Sequence, residues 1–182
     1  LLQSLAVSLI AAGDQEQAAL VLQRSLETRP QDARAHNLLG LIHLVGGWVG
    51  GKTLPEVSAD DLTFMLNQHV WTTFQLFQAY SPKLADSGWG RVIAVSASTV
   101  PNPPGKTGPY TAAKAAQENL VLTLAAELKE HGVTANIIQV RAIDVGGSRK
   151  GTGTTPDVIV AAIQYLFSEQ AGKVNGARIP LY

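Results

Sequence analysis

Tyr110 and Lys114 stand four residues apart in GPYTAAKAA, residues 108–116. Positions i and i+4 share one face of a helix, so a phenol and an ammonium at this spacing can enter one pocket. A free phenol, with a pKa near ~10, is a poor acid–base at neutral pH. A neighbouring ammonium favours the phenolate and lowers that value, which suits proton transfer to or from an alcohol. The same spacing also fits a phenol and an amine on a solvated helix face, so the surroundings must decide. Two hydroxyls, Ser96 and Ser98, lie a short loop ahead of the pair.

Other chemistries find little support. The chain has no cysteine, which excludes disulfides, thiolate metal sites and cysteine nucleophiles, and suits a reducing compartment. His36, His43, His69 and His131 are scattered, without the spacing of metal ligands, so no metal site is expected. Lys plus Arg equals Asp plus Glu at 14 each, which leaves no basic footprint for nucleic acid. The opening LLQSLAVSLIAAGD resembles a secretory apolar region but lacks a basic start and is broken by Gln3, Ser4 and Ser8. No run approaches the ~18 apolar residues of a membrane span. The expectation is a cytoplasmic protein without membrane contact. A first residue of Leu rather than Met suggests a trimmed chain or a fragment.

The elements that must position the pair are legible from about residue 38 onward. LLGLIHLVGG is a short apolar run ending in glycines, the mark of a buried parallel strand at about 41–45. SADD, residues 58–61, offers a capping-box start for a helix to about Tyr80. GRVIAVSAS gives a second buried strand, TVPNPPGKTG a Pro/Gly loop, and 109–131 a long helix ending at His131-Gly132. VTANIIQV is a third strand, GGSRKGTGTTP a loop, Thr155-Pro156 the opening of a helix, and ARIPLY a last strand. This alternation predicts an α/β fold with βαβ units and a parallel sheet of about four strands. Leu120, Leu124 and Leu128 form an apolar stripe suited to the core or to a helix bundle between copies.

From VSAS through the loop to YTAAKAAQENLVLTLAAEL and HGVTANII, residues 41–182 resemble the short-chain dehydrogenase/reductase family. The resemblance implies a partial Rossmann-like sheet and an oxidoreductase acting on a small-molecule carbonyl or alcohol with NAD or NADP. It implies that Tyr110 is the acid–base and that Lys114 tunes it and holds the nicotinamide ribose. The family's serine place falls on Ala97 between Ser96 and Ser98, and a loop one residue shorter puts Ser98 there, the favoured assignment. The family's NNAG falls on HLVG, 43–46, so that Val45, Gly46 and Ile143, with Lys114, would touch the cofactor. The family's asparagine place falls on His69, with Asn67 two residues earlier. Its PG after the third strand is here Val140-Arg141, and its later threonine is Val145. Self-association into a homo-oligomer is also expected.

The front of the chain departs from the family. A dinucleotide site needs a glycine-rich first βα turn, and no such fingerprint precedes the strand at 41–45. Residues 1–40 read instead as an α-helical hairpin, with Leu2, Leu5-Ala6, Leu9, Ala18, Leu22 and Pro30 at tetratricopeptide-like offsets. These helices would cover the otherwise open strand edge. Two further expectations follow: a catalyst impaired by the missing cofactor half, or a non-catalytic interaction module or fragment derived from the family.

Overall fold

The computed structural model describes residues 39–44, 46–145 and 151–182. The helical hairpin expected over residues 1–40 lies outside these, except that Leu39 and Gly40 already belong to the first strand, β1 (Leu39–His43). Strands β2 (Gly90–Ala97), β3 (Val133–Val140) and β4 (Arg178–Pro180) follow, in the sheet order β1-β2-β3-β4, every pair parallel. All eight residues of β2 and all eight of β3 are buried, which is why both are mostly apolar without a strict apolar/polar alternation.

The helices are α1 (Ala59–Leu66), α2 (Thr72–Ser87), α3 (Gly108–Glu127) and α4 (Pro156–Phe167). The start of α1 is the capping box expected from SADD: Asp61 N–H donates to Ser58 Oγ at 3.1 Å, and Ser58 N–H donates to Asp61 Oδ2 at 3.2 Å. A π-helical turn, Asn67–Trp71, joins α1 to α2, so the helix expected to end near Tyr80 runs on to Ser87 with one wide turn inside it. Gly88, with φ 66°, stops it. Gly132, with φ 70°, sits so close that an added Cβ would lie 2.4 Å from Gly88 O. Two left-handed glycines thus bring the starts of β2 and β3 together.

Helices α2 and α3 cover one face of the sheet. There Phe77, Leu84, Val121, Leu124 and Leu128 pack on Val92, Ala94, Val133, Ala135 and Ile137. The leucine stripe of α3 therefore faces the core, with Leu120 packed partly buried against it. Helix α4 covers the other face, its Ile159 and Leu166 packed with Ile93, Val95, Ile138 and Val140. Ile137 and Ile138 are both fully buried, one facing each layer; truncating either to alanine costs about 2–5 kcal/mol. The three connections step the same way along the sheet, yet α4 lies opposite α2 and α3. The β3–α4–β4 crossover therefore has the opposite hand to the two before it, against the usual uniform rule. To change face, the chain after β3 must pass over the strand ends.

Candidate active site

A cavity of about 640 Å³ opens at the carboxyl ends of β1, β2 and β3, where ligands bind in open parallel sheets. Gly46, Ser98, Tyr110, Lys114 and Ile143 all line it. They come from the loops after all three strands and from the first two turns of α3. Val45 lies outside the described residues. Trp48, half-exposed or more, forms part of the wall.

Tyr110 sits in the first turn of α3, which Thr111 fastens by donating both its N–H and its hydroxyl to Thr107 O, each at 2.9 Å. Lys114 follows one turn later and is 3% exposed. Its Nζ donates to Val95 O at 2.9 Å and to Gln117 Oε1 at 3.0 Å. Gln117 Nε2 in turn donates to Thr73 Oγ1 at 3.0 Å, and Thr73 gives its single hydroxyl proton to His69 O at 2.5 Å. Thr73 Oγ1 must then accept from His43 Nε2 at 2.8 Å, so this imidazole carries a proton on Nε2. A continuous buried chain therefore runs from Lys114 through Gln117 and Thr73 to His43 on β1.

The electrostatics follow from burial. Desolvation lowers Lys114 to about 8, with the Glu118 carboxylate acting in the opposite direction. Desolvation, then repulsion from Lys114, holds His43 and His69 at about 4. Burial raises the Tyr110 phenol above its ordinary value. The lowered phenol expected from the i, i+4 spacing is thus not found, because desolvation dominates at Tyr110. A raised phenol is protonated at neutral pH, ready to donate.

His69, on which the family's asparagine place is expected to fall, is fully buried, while Asn67 is exposed. The π-helical turn brings the His69 ring edge-to-face against Tyr110, with centroids 5.7 Å apart, and its Nε2 donates to Gly47 O at 3.3 Å. The same imidazole thereby props the Tyr110 phenol and ties down the loop after β1. Of the two serines, Ser96 is 3% exposed with its hydroxyl sealed inside. Ser98 is half-buried, its N–H bonded to Val140 O at 2.8 Å, which leaves it the more accessible hydroxyl.

Three residues escaped the reading of the sequence. Gln117 is three positions after Lys114, and Thr73 four after His69, so helical spacing held a signal for both. Thr154 had none. It is 3% exposed, accepts from Arg141 N–H and donates to Leu181 O, each at 3.0 Å, and bridges to Ile143. It pins the segment that crosses the cavity mouth.

A parallel sheet covered on both faces, with a tyrosine, a buried lysine and a serine gathered at its strand ends, defines a Rossmann-like α/β protein with an enzyme-like pocket. The sequence profile described as short chain dehydrogenase matches residues 23–153, and the chain belongs to that family. It is 38% identical over 122 residues to nodulation protein G of Azospirillum brasilense, covering 58% of this chain and 49% of that protein. It is 26% identical over 147 residues to acetoacetyl-CoA reductase of Allochromatium vinosum, covering 71% and 59%. The chain thus spans about half the length of the curated relatives it matches. Among solved structures, a putative oxidoreductase from Escherichia coli K-12 superposes with a TM-score of 0.73 at 21% identity, over 93% of this chain and 70% of that one. ElxO with NADP bound gives 0.72 at 16%, over 82% and 73%. At these identities the likeness is one of fold.

Proposed function

We propose that the chain is the catalytic portion of an NAD(P)-dependent oxidoreductase that interconverts a small-molecule carbonyl and its alcohol. The observation that carries the reading is the convergence of Tyr110, Lys114 and Ser98 on one cavity at the strand ends. In the reducing direction, Ser98 donates a hydrogen bond to the substrate carbonyl oxygen and fixes its orientation. Tyr110, kept protonated by burial, delivers its proton to that oxygen. The Lys114 ammonium, anchored on Val95 O and Gln117, stabilises the phenolate left behind. A bound nicotinamide supplies the hydride. The cavity volume suits such a ring, and an added Cβ on Gly46 would meet nothing within 4 Å. Lys114, Gly46, Ile143 and Val45 are the residues assigned to hold it.

No glycine fingerprint precedes β1 within these 182 residues. A second reading is a non-catalytic interaction module. Titration with NADH and NADPH, followed by cofactor fluorescence, separates the two. Saturable binding supports the oxidoreductase, and silence to millimolar concentration supports the module.

A further inference from the structure

The cavity carries two cationic side chains, Lys114 and Arg141, and no carboxylate among its described lining residues. Lys114 is consumed internally by its bonds to Val95 O and Gln117. Arg141 is exposed and forms no ion pair among the described residues. Its guanidinium carbon lies 6.0 Å from the centre of the Tyr182 ring. Of the nearby acids, Glu118 is buried and held by Gln139 and Arg178, and Asp144 is buried outside the lining.

The backbone of Arg141 is fixed. Its N–H donates to Thr154 Oγ1, and Thr154 N–H donates to Ala142 O at 3.0 Å. A guanidinium borne on a pinned segment that lines an acid-free pocket is a suitable partner for a planar or tetrahedral oxyanion. The positive field of the site also reaches His43 and His69, both lowered in part by Lys114.

We propose that the ligand of this cavity bears an anionic oxygen group, a carboxylate or a phosphate, that docks on Arg141. This inference rests on the oxidoreductase reading for the identity of the pocket but is tested by binding alone. Two sources share the chemistry: a carboxylate on the carbonyl substrate, and the diphosphate of the cofactor. The probes are acetoacetate, its neutral ethyl ester and inorganic pyrophosphate, titrated calorimetrically into the full chain and into Arg141→Gln. The expected result is at least ~tenfold tighter binding of an anion than of the ester, lost in Arg141→Gln, with ester binding unchanged. Arg141 dependence for acetoacetate assigns the group to the substrate, and dependence for pyrophosphate alone assigns it to the cofactor. Equal affinity for charged and neutral probes, or anion binding indifferent to Arg141→Gln, overturns the proposal. Arg141-dependent binding in a chain without turnover leaves it standing and removes only the oxidoreductase reading.

Discussion

Lowering the pH should weaken this fold through two imidazoles. His43 and His69 are buried, neutral and held at about 4 in the folded chain, against ~6.5 when unfolded. A depressed histidine contributes stability that is fully present above the unfolded value and is lost as pH falls towards the folded one. The window here is therefore about 6.5 down to about 4. At about pH 5 the unfolded state holds nearly one more proton per histidine than the native state does, a loss of about 2 kcal/mol each by proton linkage. For both together the loss is about 4 kcal/mol, a large part of the ~5–15 kcal/mol typical of a domain. The assay is urea unfolding by circular dichroism at about pH 7.5 and about pH 5, with the double variant His43→Gln/His69→Asn as the control. Wild type should lose most of its midpoint between the two conditions, and the double variant should lose markedly less. A wild-type free energy at pH 5 within about 1 kcal/mol of that at pH 7.5 would refute the buried neutral assignment, since each site alone predicts about 2.

Tyr110→Phe should reduce turnover at least ~100-fold while leaving the urea midpoint in place, measured by steady-state kinetics beside unfolding; loss of folding instead would make the phenol structural. Gln117→Leu strips an acceptor from Lys114 and a donor from Thr73, and should cost about 1–3 kcal/mol in the same unfolding assay. Gly132→Ala forces a Cβ onto Gly88 O at a φ of 70°, and should cost about 1–3 kcal/mol, seen as a lower thermal midpoint. A wild-type midpoint there would mean that the Gly88–Gly132 approach relaxes freely.

The order of elements was readable because each strand of this sheet is a short run bounded by its own turn chemistry. GRVIAVSA and VTANIIQV are mostly apolar since helices cover both their faces, and SADD announces its own cap. Tyr110 and Lys114 were readable for the same reason: their relation is one helical turn, which spacing encodes. What was hidden depends on distant contacts. The π-helical turn at Asn67–Trp71 carries no local signature, yet it is what sets His69 against Tyr110. Thr73 meets Gln117 across 44 positions and His43 across 30, so only the packed sheet brings them together. Spacing also misjudged Tyr110, because it reports which charge is near but not how much water has been removed.

The change of face after β3 has a mechanical meaning for any ligand. The segment 141–143 lines the cavity on its way to α4, whereas Tyr110 and Lys114 rise from α3 on the other side. A molecule held between them therefore stitches two separately packed layers into one cooperative unit. Ligand should then slow amide exchange in α4 and β4, far from the reacting atoms, by as much as it slows exchange in α3.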